Sequence, residues 1–136
     1  MSNVIALAAA NIYQQDQLIL SNVQLELAAQ SFAYLIGKTG SGKSSLLKTL
    51  YAEIPLVEGE GEVCGYALKG LKRKDIPFLR RKIGIVFQDF QLLTDRSIHE
   101  NLKFVLRATG WKDKSEMTKR IEEVLELVGL PTKDFK

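Results

Sequence analysis

The sequence predicts an α/β fold, and three observations carry that prediction. A continuous apolar run, "FAYLI" (32–36), leads directly into the glycine-rich "GKTGSGKSS" (37–45), and a helix-forming stretch follows it. Upstream, two β-rich runs at 4–12 and 18–27 are separated by the polar "YQQDQ", the pattern of an antiparallel hairpin. Downstream, a second continuous apolar run, "IGIVFQ" (83–88), precedes two stretches with helical spacing.

Each element has its own sequence reason. In the second β-rich run Val23, Leu25 and Leu27 alternate with Asn22, Gln24 and Glu26, the period of a half-buried strand. Residues 32–36 and 83–88 do not alternate, so they are expected as strands buried on both faces, as in a parallel sheet. A helix is expected from Lys43 to Glu53, with Pro55 just beyond it. Residues 59–70, "GEGEVCGYALKG", read as a glycine-punctuated strand and turn. Ser97 with Glu100 forms a capping box that opens a helix through about Arg107. A last helix, Lys114 to Val128, sets Ile121, Val124, Leu125 and Val128 on one face and stops at Gly129, before Pro131.

Composition narrows the function classes. With 136 residues, 46% hydrophobic and 26% charged, the chain fits one domain, or a piece of one, with a real core. The net charge of +3 is too small to argue for nucleic acid. The basic residues do cluster, in "KGLKRKD" (69–75) and "RRK" (80–82). A solvated face is the ordinary account of such a cluster, and a surface that meets anionic lipid or a partner is the alternative. Cys64 is the only cysteine, which excludes an internal disulfide and a cysteine-based metal site; it is expected as a buried packing residue. His99 is the only histidine, which argues against a Ser-His-Asp triad. No stretch approaches the ~20 apolar residues of a spanning helix. The first residues lack a basic leader and read as a strand, so a cytosolic chain with a peripheral membrane role is expected.

The glycine-rich loop carries the chemistry. Gly37, Gly42, Lys43 and Ser44 satisfy G-x-x-x-x-G-K-[ST] between an apolar run and a helix, the setting a phosphate loop requires. The small residues Thr39, Gly40, Ser41 and Gly42 let the backbone curl so that amides face phosphate oxygens, and the following helix adds the positive end of its dipole. Lys43 would bridge the β- and γ-phosphates, and Ser44 offers a hydroxyl to Mg²⁺. The ligand class is a nucleoside triphosphate.

Three classes of phosphate-loop protein compete on residues. A GTPase needs a guanine-reading N/T-K-x-D, and "TKD" at 132–134 lacks the intervening residue. A small kinase could use "IVFQD" with Asp89 on Mg²⁺, but Gln88 directly follows the apolar run and no arginine-rich lid is evident. The third class fits more residues. "IGIVFQDFQLLTDRSIHENL" (83–102) resembles the Q-loop of ABC-type ATPases, with Phe87-Gln88 ending the strand and Ser97-Ile98-His99-Glu100-Asn101 opening a helix. Within that superfamily, "IPFLRRKIGIVFQDFQLLTDRS" (76–97) is similar to the bacterial cell-division (FtsE-type) ATP-binding family, and lipoprotein-releasing and macrolide-exporting ATPases share parts of it.

The resemblance implies a P-loop NTPase fold with antiparallel strands, an incomplete parallel core sheet and the start of a helical subdomain. It divides the chain into a nucleotide-binding core, 1–88, and a Q-loop and helical segment, 89–136. It implies ATP and Mg²⁺ held by Gly37, Thr39, Gly40, Ser41, Gly42, Lys43, Ser44 and Ser45, with Lys43 and Gln88 catalytic and Ser44 and Gln88 at the metal. The amide of Gln88 both donates and accepts, which suits sensing of the ion or water beside the γ-phosphate. Tyr13 resembles the family's adenine-stacking aromatic, and a core tyrosine is the alternative. A homodimer and a transmembrane (FtsX-type) partner are implied, with Phe90, Gln91, Leu92 and Leu93 as candidates to meet that partner.

Departures from the family pattern are also informative. "AAQSF" stands where a Gly-Glu turn is usual, and Ser45 stands where threonine is common. No "LSGG" signature and no apolar strand ending in Asp-Glu occur before Lys136, so an N-terminal portion of an ABC ATPase is expected. It would bind nucleotide with little or no turnover and self-associate through open strand edges. A non-catalytic nucleotide-binding module remains the alternative outside enzymes.

Overall fold

A computed structural model describes residues 3–87 and 92–130. The chain divides into two compact units, Met1–Gly84 and Ile85–Lys136.

The first unit is a four-stranded antiparallel sheet with a helix packed on it. Its strands are β1 (Asn3–Gln14), β2 (Gln17–Ala28), β3 (Glu58–Val63) and β4 (Tyr66–Ala67), in the order β2-β1-β3-β4. β1 and β2 form the hairpin that the alternation predicts, with Val23, Leu25 and Leu27 half-buried and Asn22, Gln24 and Glu26 exposed. In β1 the buried residues are Leu7, Ala10 and Ile12, a spacing that a regular strand could not place on one face. An irregularity between Leu7 and Ala10, where Ala9 has a φ of 51°, inserts one residue and resets the phase. Gly59 lies against this bulge with a φ of 88°, and a Cβ there would stand 2.3 Å from the Ala9 carbonyl oxygen. Only glycine meets both conditions.

The turn from β3 to β4 is Cys64-Gly65, with φ of 50° and 88°, the two positive values that a type I′ turn requires. Cys64 is therefore half-buried at a turn, not a fully buried packing residue. Helix α1 (Lys43–Leu50) ends three residues before the expected Glu53 because Ala52 turns left-handed, at a φ of 66°. The Glu53 and Ile54 amides both return to the Lys48 carbonyl, at 2.9 and 3.2 Å, and satisfy the helix end. A 3₁₀ turn at Arg73–Asp75 leads into α2 (Ile76–Arg80). The core gathers Leu7, Ala10, Ile12, Leu46, Leu56, Val63, Leu68 and Leu79. Burying each larger aliphatic side chain stabilises the unit by about 1.5–3 kcal/mol before chain entropy is subtracted.

Two expected strands, 32–36 and 83–88, do not form among the described residues, and Gln88 lies outside them. Residues 32–36 and 83–87 join no ladder with any described residue. Phe32 is 80% exposed, Tyr34 82% and Ile36 89%. The Phe32 and Tyr34 rings touch only edge to face, with centroids 5.0 Å apart. An apolar run becomes a strand when a neighbour completes its hydrogen bonds, and among the described residues no strand pairs with 32–36.

The second unit contains α3 (Ile98–Ala108) and α4 (Lys114–Leu127), packed on one another. Ser97 caps α3 as the sequence predicts, its hydroxyl accepting from the Glu100 amide at 3.1 Å. Asp113 caps α4, accepting from the Ser115 and Glu116 amides at 2.8 and 3.2 Å. The buried stripe of α4 is Met117, Ile121 and Leu125. Val124 is half-buried, and Val128 is exposed because it lies at the helix end, where the backbone leaves α geometry.

Candidate functional site

Residues 37–42 form an exposed or half-exposed loop that ends on α1. Gly40 and Gly42 are left-handed, at φ of 83° and 98°, so the backbone curls twice within three residues. The Ser41 amide donates to the Lys38 carbonyl at 3.0 Å and closes a turn. At Gly37 a Cβ would stand 2.6 Å from the Ser41 hydroxyl, so a larger residue there would have to turn the Ser41 side chain aside. Gly42 is pressed from the other side, with Ile19 and Leu20 of β2 at 3.0 Å from where its Cβ would lie. The loop thus rests on the hairpin.

Lys43 is the first residue of α1, and its ammonium reaches back across the loop to donate to the Gly37 carbonyl. The first intrahelical bond runs from the Leu46 amide to the Gly42 carbonyl at 3.0 Å. The amides of Lys43, Ser44 and Ser45 precede that bond, and Gly42 offers no side chain to cap them. An uncapped helix start with free donors, a curled glycine loop and one lysine above it fit a polyphosphate. Ser44 is exposed at the second helical position. Ser45 is only 7% exposed and faces the core, with its carbonyl accepting the Thr49 hydroxyl at 2.8 Å. Thr39 is exposed in the loop, and Gly40 has open space around it.

Tyr13 stands at the end of β1 and donates its hydroxyl to the Glu58 carboxylate at 3.0 Å. That hydrogen bond, followed by partial desolvation and the Glu58 charge, pushes the phenol above its ordinary value of 10.0. Asn11 donates to the same carboxylate at 2.7 Å. Tyr13 lines a cleft of about 580 Å³ with Gln14, Asp16, Glu53, Pro55 and Glu58, and no residue of 37–45 contributes to that cleft. Glu58 is the partner that sequence reasoning missed, since only the β1–β3 pairing brings the two positions together.

Gln88, Asp89, Phe90 and Gln91 lie outside the described residues. Of the remaining candidates for a partner contact, Leu92 is 66% exposed and Leu93 is half-buried. The second missed residue is Asn101. Its side chain accepts from the Leu93 amide at 2.8 Å and donates to the Leu93, Arg96 and Ser97 carbonyls at 3.0, 3.3 and 2.9 Å. One amide therefore fastens the turn from Leu93 to Ser97 that leads into α3. The signal was present in the "HEN" helix start, but the helix pattern assigned Asn101 no role. His99 is half-buried on α3.

Comparison with known proteins gives a consistent result. The sequence profile described as ABC transporter matches residues 20–135. The chain is 36% identical over 121 residues to the cell division ATP-binding protein FtsE of Streptococcus pneumoniae, covering 89% of this chain and 52% of that protein. It is 37% identical over 118 residues to the methionine import ATP-binding protein MetN of Helicobacter hepaticus, covering 87% of this chain and 33% of that protein. The chain spans about half the length, or less, of these curated relatives. Among solved structures, it superposes with a TM-score of 0.78 and 28% identity on a dimeric ATP-binding cassette in a post-hydrolysis state bound to ADP and Pi. That match covers 95% of this chain and 59% of the cassette.

Proposed function

The chain belongs to the ABC transporter family, and from that premise we propose that it is the ATP-binding part of a membrane complex, of the cell-division (FtsE) type. The single observation that carries the nucleotide assignment is the loop itself. Gly40 and Gly42 are left-handed, the start of α1 is uncapped, and the Lys43 ammonium lies across the loop on the Gly37 carbonyl.

In this reading residues 1–88 are the nucleotide-binding core and residues 89–136 begin the helical subdomain. The Lys43 ammonium leaves the Gly37 carbonyl for phosphate oxygens, and the first-turn amides of α1 take the negative charge beside it. The Ser44 hydroxyl and the Gln88 amide serve Mg²⁺. The Tyr13 ring offers a face to adenine while Glu58 fixes its hydroxyl. ATP supplies the phosphoanhydride whose cleavage drives the complex. The 136-residue polypeptide holds phosphate and ion but carries no recognised base for the attacking water, so it binds ATP–Mg²⁺ with little or no turnover. It works at the cytoplasmic face of the plasma membrane, with a transmembrane partner of the FtsX type and a second nucleotide-binding copy. Similarity to a methionine import protein favours a second reading, an import ATPase, which differs in the membrane partner and not in the loop.

Titration of a fluorescent ATP analogue with and without Mg²⁺ tests the assignment. The wild type saturates, and Lys43→Ala weakens binding about ten- to a hundredfold, the effect of losing charge-assisted hydrogen bonds. Unchanged binding in Lys43→Ala would overturn the loop assignment. Phosphate release by the polypeptide at the rate of an intact ATPase would overturn the low-turnover reading.

A further inference from the structure

The basic residues around α2 are not used by the phosphate loop, and their distribution is uneven. Between Lys69 and Lys82 lie seven of the chain's nineteen basic residues and one of its sixteen acidic ones, Asp75. That stretch carries +6, and the remaining residues, twelve basic against fifteen acidic, carry −3. All seven cations, Lys69, Lys72, Arg73, Lys74, Arg80, Arg81 and Lys82, are exposed. Among the described residues the one ion pair is Arg120–Glu123, which leaves these cations without a carboxylate partner there.

Two further features distinguish the stretch from a merely solvated face. Phe78 is 50% exposed in its middle, with the Arg81 guanidinium 5.0 Å from the ring centroid. Leu79, beside it, is fully buried and anchors α2 to the core, while Arg80 donates to the Tyr51 carbonyl at 3.0 Å. The cations are therefore displayed on an anchored element with an aromatic side chain among them, the combination that settles at a bilayer interface.

We propose that residues 69–82 form a membrane-apposition surface, which binds the phosphate headgroups of an anionic bilayer directly and seats Phe78 at headgroup depth. Within the first unit, residues 1–68 carry −3, the opposite sign, which turns the patch toward a negative surface and repels the remainder of that unit from it. It also disfavours a nucleic acid, because the rest of the same unit, residues 1–68 with three basic against six acidic groups, carries −3 and does not extend the short basic strip. The surface goes beyond nucleotide binding and does not depend on it.

Sedimentation with vesicles tests this. The protein is mixed with phosphatidylcholine vesicles with or without one third phosphatidylglycerol, at low and at physiological salt. Binding is expected only to the anionic vesicles, weakening as salt rises. Lys69→Gln/Lys72→Gln/Arg73→Gln/Lys74→Gln should reduce partitioning at least a hundredfold, at about fivefold per cation. Phe78→Ala should reduce it by roughly tenfold. A control, Lys112→Gln/Lys114→Gln/Lys119→Gln, removes charge from the second unit and should leave vesicle binding within about twofold. Unaltered far-UV circular dichroism and ATP-analogue binding keep folding and nucleotide binding as separate readouts. Equal binding to both vesicle types, equal loss in the two charge variants, or tighter binding to a DNA or RNA oligonucleotide than to vesicles would each overturn the proposal.

Discussion

The β1–β2 hairpin and the segment 32–36 are made of the same kinds of residue and meet opposite environments. In β1, Leu7, Ala10 and Ile12 are at most 2% exposed; in the segment, Phe32, Tyr34 and Ile36 are at least 80% exposed. Hydrophobicity does not separate them, and neither does β propensity. What separates them is the neighbour. β1 lies between β2 and β3 and exchanges hydrogen bonds on both sides. Segment 32–36 pairs with no described residue, so its apolar side chains have no second layer to pack on.

This contrast can be broken from the hairpin side most strongly. Ile12→Ala removes a side chain that is 1% exposed, and should cost about 2–5 kcal/mol in a urea titration followed by far-UV circular dichroism. A smaller, pH-dependent effect is expected where β1 meets β3. Because the Tyr13 phenol is held above its ordinary value by Glu58, the folded state retains that proton more tightly than the unfolded chain does. The corresponding stability is present below pH ~10 and is lost as pH rises through the ordinary tyrosine range toward the raised folded value. Spectrophotometric titration at the tyrosinate band should show late ionisation at both Tyr13 and Tyr51, the latter raised by burial and its Glu53 hydrogen bond, and Glu58→Gln should move only the Tyr13 component back toward the ordinary value. Least affected should be the exposed segment. Ile36→Ser should change stability by less than about 0.5 kcal/mol. A loss near that of Ile12→Ala would mean that residues 32–36 are packed in solution.

The same contrast explains what could be read from the sequence. Features that depend on a few consecutive residues were legible: the Ser97 cap, the stop at Gly129, the alternation of β2, and the glycine-rich turn that opens α1. Features that depend on distant residues were not. The absence of a partner for 32–36 leaves no trace within those five residues, and the phase reset at Ala9 is set against Gly59 on another strand. The Tyr13–Glu58 contact spans 45 residues and follows from sheet register alone. Val128 was assigned to a buried stripe by spacing, which cannot see that the helix has already ended.

Gly42 has its backbone turned left-handed while Ile19 and Leu20 close over the space a side chain would need. The glycine-rich loop therefore has a strand for a floor, and the two cannot drift independently. A substitution that loosens β2 would also blunt the loop's grip on its ligand, even where no loop atom is altered. Selection for tighter nucleotide binding and selection for a firmer hairpin would then act on the same residues, and a thermal melt followed by bound nucleotide should coincide with one followed by sheet content.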